Sequence, residues 1–228
     1  MKSLFLSSLL ALGLLAVPAQ AAEYPAKPIT LMTAFNAGGG SDVSHRLLEK
    51  FAKGVFDQPI VVTYKAGAGG EIGWTWLVGA KADGYTIGGV DLPHIVLQPM
   101  LRPEGQPGYK TEQLSPLCGL VYDADVVMVP EDGPYKTFKD LIEYAKANPG
   151  KVKVATVGKL TGDHLFLMQI EKLTGAKFTQ VPYSGSGKAI PALLSGEVDA
   201  YFGSGSSFLR MEKTRGLAIG SKERYELC

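Results

Sequence analysis

The sequence predicts an α/β protein of two lobes, each a mostly parallel sheet flanked by helices, on three observations. Short β-like apolar runs alternate with helical stretches, the pattern of βαβ units. The alternation comes in two series, Tyr24 to Val90 and Thr137 to Phe202, separated by a proline- and glycine-rich segment and a long apolar run. Four strand exits carry glycine and other small residues, which leave room for the backbone to approach a guest. The boundaries expected are a leader over 1–21, a first lobe over 22–124 to which 217–228 returns, and a second lobe over 125–216.

Residues 1–21 combine Lys2, an apolar run from Leu4 to Val17 and Ala19-Gln20-Ala21 as a small-residue cleavage site. That is the make-up of a secretory signal peptide, and the apolar run is short for a membrane span. In the first series, strands are expected over Ile29–Phe35, Ile60–Tyr64 and Thr86–Val90. Helices are expected from Ser41, with Val43, Leu47, Leu48 and Phe51 on one face, and from Gly73 to Lys81. Leu92 to Thr111 reads as irregular, and Leu114 to Val129 as a long apolar run. In the second series Thr137 and Asp140 form a capping-box-like pair opening a helix that ends at Asn148-Pro149-Gly150. A strand over Val152–Thr156, a helix from Gly162 to Thr174 stopped by Gly175, a strand over Phe178–Val181, a helix over Lys188–Leu194 and a strand over Val198–Phe202 complete it.

The first series is organised around Phe35-Asn36-Ala37-Gly38-Gly39-Gly40-Ser41-Asp42, a strand end, a glycine turn and a helix start, with Ser41 a suitable N-cap. Unpaired amides and the positive end of the helix dipole make such a turn an anion site. Lys65 to Gly70, Gly158 to Thr161 and Tyr183 to Gly187 repeat the theme after three further strands. Ligands of open α/β sheets bind outside the carboxyl ends of the strands, so these loops are placed to converge.

Composition excludes several classes. Lys2 is the one charged residue of the leader, so of 23 basic residues 22 remain against 22 acidic ones, which argues against nucleic acid and against electrostatic membrane binding. Cys118 and Cys228 form neither a disulfide framework nor a metal set, and a bond between them is left open. Gly185-Ser186-Gly187-Lys188 fails as a phosphate loop, because Pro182 stands at the required glycine and Ala189 follows the lysine. The dinucleotide fingerprint fails at Val43 and Ile72, no nucleophile elbow has its spacing, and His45, His94 and His164 lack zinc spacing. No cofactor or metal is expected, and no enzyme. His164 reads as a donor to a bound carboxylate or as a structural histidine, and Asp42 as a dipole-compensating residue that must face away, be paired, or meet a cationic ligand group. Tyr183 reads as a hydroxyl, an aromatic wall or packing, and Asp199 as a cleft residue or a loop tether.

The succession Tyr24-Pro25-Ala26-Lys27-Pro28-Ile29, Phe35 to Asp42, Ala66 to Gly73, Asp83-Gly84-Tyr85-Thr86, Tyr144 to Lys151, His164-Leu165, Val181 to Gly185 and Leu217-Ala218-Ile219 resembles the signatures of the tripartite tricarboxylate transporter substrate-binding proteins, the TctC or Bug family. It covers nearly the whole mature chain in family order. The resemblance implies a periplasmic-binding-protein-like (type II) fold, periplasmic location and capture of an organic carboxylate: a di- or tricarboxylate, an amino acid or an aromatic acid. It puts Phe35, Ala37, Gly38, Gly39, Ser41, Asp42, Ala66, Gly67, Ala68, Gly69 and Gly70 on one wall of the cleft. Gly158, Thr161, His164, Tyr183, Ser184 and Gly185 form the other, and a two-subunit membrane permease is the implied partner of a monomer.

The chain departs from the family at Leu160, where glycine is usual, and at Ala66, where proline is. Family members also continue past the Leu217–Ile219 strand, so a C-terminally truncated chain with an incomplete first lobe is expected. Two other functions are weighed: a periplasmic sensory module using the same site, and a small secreted α/β hydrolase using His164 with Asp42 or Asp199.

Overall fold

The structure, a computed structural model, describes residues 23–103, 107–208 and 211–221. The leader expected at 1–21 and residues 222–228 lie outside them. The order is β1 (Ile29–Thr33), α1 (Gly40–Ala52), β2 (Ile60–Tyr64), α2 (Glu71–Val78), β3 (Thr86–Gly88), α3 (His94–Leu101), β4 (Asp125–Pro130), α4 (Phe138–Ala147), β5 (Lys153–Thr156), α5 (Gly162–Thr174), β6 (Thr179–Pro182), α6 (Ser186–Leu194), β7 (Ala200–Ser204), α7 (Gly205–Phe208) and β8 (Thr214–Ile219). The strands form two sheets, β2-β1-β3 and β6-β5-β7-β4-β8. The first is parallel throughout; in the second only β4 runs against its neighbours.

Strand periodicity decides which residues fill the second lobe. Along β4, Val127 and Val129 face Leu141, Ile142 and Ala145 of α4 and Leu167 and Ile170 of α5. Val126 and Met128 alternate to the other face, against Ala189, Ala192 and Leu193 of α6. Both faces of the sheet are thus covered, as strands apolar on both sides require. The helix ends follow local chemistry: Thr137 and Asp140 close the capping box, and Gly175, at φ 75°, ends α5 in the left-handed conformation that glycine adopts without penalty. The first lobe has a smaller core, with Met32, Ala34 and Phe35 packed around the fully buried Trp74, Ile95 and Tyr109.

Four sequence expectations are corrected. The Leu217–Ile219 run, expected to return to the first lobe, belongs to β8, which pairs antiparallel with β4 at the edge of the second sheet. The apolar run from Leu114 is a strand only from Asp125; before it Leu117, Val121 and Tyr122 are exposed in a segment without ladder partners among the described residues. Leu92–Thr111 contains α3, hidden from pattern reading because Pro99 sits in its last turn. Of the α1 face, Leu48 packs on the sheet while Leu47 and Phe51 are largely exposed.

Candidate ligand-binding cleft

The four glycine-bearing exits, after β1, β2, β5 and β6, do converge, because parallel strands deliver their carboxyl ends to one side of each lobe and the two lobes face each other there. A cleft of about 410 Å³ lies between them, lined by Ala68, Gly69 and Arg102 of the first lobe and Gly158, Lys159, Pro182, Tyr183 and Ser184 of the second.

Backbone contact across the cleft is close at two points. A Cβ on Gly158, whose φ is 131°, would lie 3.0 Å from the Gly69 Cα, and one on Gly69 would lie 3.2 Å from both the Lys159 carbonyl and Thr161 Cγ2. A Cβ on Gly185 would come 2.8 Å from the Asn36 amide, and one on Gly187 would fall 2.0 Å from the Ala37 carbonyl. The second contact is tied by Asn36, whose Nδ2 donates to Ser184 Oγ at 2.6 Å.

On the first wall, Phe35 is buried edge-on to Trp74 and His94. Positive φ in the triple-glycine turn is confined to Gly38, at 83°; Gly39 caps α1 in extended conformation at φ −90°, and a Cβ on it would lie 3.4 Å from the Ser186 side chain. The N-cap is therefore Gly39, and Ser41, expected to cap, lies inside the first turn and donates its hydroxyl to Asp91 at 3.1 Å. Asp42 is paired: its carboxylate accepts from the Gly38 amide at 2.8 Å, from the Tyr64 hydroxyl at 2.7 Å and from Arg46 Nε at 3.3 Å. Burial pushes that carboxyl up, but these partners outweigh it and hold it below the usual range. Gly67, Ala68, Gly69 and Gly70 all have positive φ and form a tight turn into α2 beyond the half-buried Ala66. The Ala68 and Gly69 carbonyls accept from Arg102 and Gln98.

On the second wall Thr161 caps α5, accepting from the His164 amide and donating to the Gly158 carbonyl at 2.8 Å. His164 Nδ1 accepts from the Leu160 amide at 3.2 Å, so the ring steadies its own loop around the left-handed Leu160. The Tyr183 hydroxyl donates to Glu197 at 2.7 Å, which leaves its ring as the wall. Asp199 accepts from the Lys153 amide at the start of β5, the far end of that strand from the cleft; it is a tether, and the acid–base pair weighed for a hydrolase is not assembled with it.

Sequence reading missed Asn36, Tyr64, Arg102, Lys159, Gly187 and His94. His94 is buried, and burial holds its ring well below the usual histidine range, at about 4, despite an opposing backbone contact at Leu92. Neutral at pH 7, it accepts through Nε2 from the Gly162 amide at 3.3 Å, a third link between the lobes. Burial raises Asp91 to about 6, raises Asp125 to about 6 with repulsion from Asp123 adding to it, and raises Asp163, where repulsion from Asp125 pushes further the same way. Arg102 is ion-paired with Glu71, whereas Lys159 makes no ion pair among the described residues. No cluster of the described residues suits a metal ion, and no described helix is long and apolar enough to cross a membrane. Cys118 is exposed and unpaired, and Cys228 lies outside the described residues.

Comparison with known proteins agrees with this architecture. A UPF0065 protein from the gbd 5′ region of Cupriavidus necator is 35% identical over 82% of the chain and 57% of its own length. Across the curated relatives the chain spans 57–65% of their length. A solved periplasmic transporter structure superposes with a TM-score of 0.84 at 31% identity, over 89% of this chain and 69% of that one. MatC from Rhodopseudomonas palustris with bound malate gives 0.79 at 25% identity, over 88% and 69%. The model of the tripartite tricarboxylate transporter family receptor, TctC, matches residues 44–226, and the chain belongs to that family.

Proposed function

We propose that this protein captures an organic carboxylate between its two lobes and presents it, unchanged, to a two-subunit membrane permease, acting as a monomer in the periplasm after removal of residues 1–21. The observation that carries the reading is the meeting of glycine-bearing strand exits from two lobes: those after β2, β5 and β6 line the cleft, and that after β1 lies against the exit of β6. Backbone amides at the start of α1 lack helical partners and favour an anion, and Lys159 adds a cation to the opposite wall. Malate bound to MatC supports a carboxylate as the ligand class. The residues proposed to surround it are Phe35, Ala37, Gly38, Gly39 and Ser41 with Ala66 to Gly70 on one side, and Gly158, Thr161, His164, Tyr183, Ser184 and Gly185 on the other.

A thermal-shift panel of di- and tricarboxylates, amino acids and aromatic acids tests this. A ligand at 100 times its Kd adds about 2.7 kcal/mol to the folded state, which in a chain of this size raises Tm by about 5–10 °C. A well-folded sample whose melt no member of the panel shifts contradicts the proposal.

A further inference from the structure

Asp42 stands at the mouth of the proposed anion site yet is negative, a conflict that its surroundings resolve. Its Oδ2 accepts from the Gly38 amide at 2.8 Å, while Oδ1 accepts from the Tyr64 hydroxyl at 2.7 Å and from Arg46 Nε at 3.3 Å. Arg46 closes the ring by donating through Nη2 to the Tyr64 oxygen at 2.6 Å, and through Nη1 to Glu49 at 3.0 Å. Gly38 belongs to the exit of β1, and Tyr64 is the last residue of β2, immediately before the second glycine turn. One carboxylate therefore bridges the two loops that the proposed function needs as a single cradle.

We infer that Asp42, with Tyr64 and Arg46, is a positioning clamp that fixes the Gly38–Ser41 turn against the exit of β2, and that it does not itself touch the ligand. A run of three glycines has the largest backbone freedom a chain offers, and a site made of backbone amides binds well only if that freedom is removed beforehand. By occupying the Gly38 amide, Asp42 selects the Gly40 to Asp42 amides at the helix start for an incoming anion. Arg46 offsets the negative charge that would otherwise face it. The inference rests on the carboxylate-binding reading above.

The test pairs Asp42→Asn with Tyr64→Phe and reads two quantities in the whole chain: the hydrogen-exchange rate of the Gly38 amide without ligand, and the Kd for succinate, benzoate and aspartate. Both variants are expected to speed Gly38 exchange about tenfold or more and to weaken every acid bound by the wild type by a similar factor, the effect of one lost charge-assisted hydrogen bond, with Tm within about 5 °C of the wild type. Tighter binding by Asp42→Asn would show that Asp42 merely repels the ligand and overturn the clamp. Loss confined to aspartate, with Tyr64→Phe unchanged, would show direct contact with an ammonium group and overturn it as well. If the wild type binds none of the three, the carboxylate reading fails on its own, and Gly38 exchange still decides: unchanged rates in both variants overturn the clamp, and faster rates uphold it.

Discussion

Gly187→Ala is expected to weaken carboxylate binding about 5- to 100-fold by forcing the two lobes apart, without disrupting the fold of the second lobe itself. The added methyl would sit 2.0 Å from the Ala37 carbonyl oxygen, and backbone on the opposing lobe cannot step aside as a flexible side chain can. Overpacking of this kind costs about 1–3 kcal/mol, and each 1.4 kcal/mol is about a tenfold loss of affinity. Within the second lobe the same substitution is benign. Gly187 lies in the first turn of α6 without positive φ, and alanine is preferred to glycine in a helix by up to about 1 kcal/mol. Calorimetric titration beside a thermal melt separates the two effects. Unchanged affinity would mean that the lobes do not close to this distance around a ligand.

Trp74→Ala is expected to destabilise the first lobe by about 3–5 kcal/mol, the range for emptying a large aromatic site in a core. Trp74 is fully buried, with ring centroids 6.2 Å from Phe35, 6.2 Å from His94 and 5.8 Å from Tyr109, all near-perpendicular. Its Nε1 donates to the Gly89 carbonyl at 3.1 Å, and Gly70 lies against its ring so closely that a Cβ there would be 2.5 Å away. The side chain thus holds the second glycine turn and the third strand's exit as well as the core. Against a typical total of about 5–15 kcal/mol that loss is large, whereas Trp76→Ala, at a side chain 39% exposed, is expected to cost under about 1 kcal/mol. Urea unfolding of the two variants checks the contrast, and equal midpoints would remove Trp74 from its central place.

Much of the frame was legible in the sequence because local signals and tertiary demands agree there. Gly162–Thr174 was bounded by its glycine stop, Ile60–Tyr64 by its β-branched run, and the capping box at Thr137 by a three-residue spacing, and each stands where that chemistry puts it. What was not legible depended on partners distant in sequence. The Leu217–Ile219 run says strand but not which sheet, since either lobe offered an apolar edge; only pairing with β4 settles it. Three of the glycine turns line the gap between the lobes, but the roles of side chains around it did not follow from the sequence. Ser41 has cap chemistry but its hydroxyl is claimed by Asp91, 50 positions away. His164, read as a ligand donor or a structural histidine, accepts from its own loop, while His94, in a stretch read as irregular, reaches across to Gly162. Asn36, inside the most prominent motif, was passed over because an asparagine in a glycine turn ordinarily serves that turn, whereas here it holds Ser184 of the other lobe.

The most direct test of carboxylate capture between the lobes is a titration of the isotopically labelled chain, following every backbone amide by NMR as an acid that shifts the melt is added. Saturable shifts confined to residues 36–42, 66–70, 158–162 and 183–187, all with one Kd, are the predicted result. Shifts restricted to one lobe, or centred instead on the hollow lined by Ala52, Phe56 and Ile60, would contradict it.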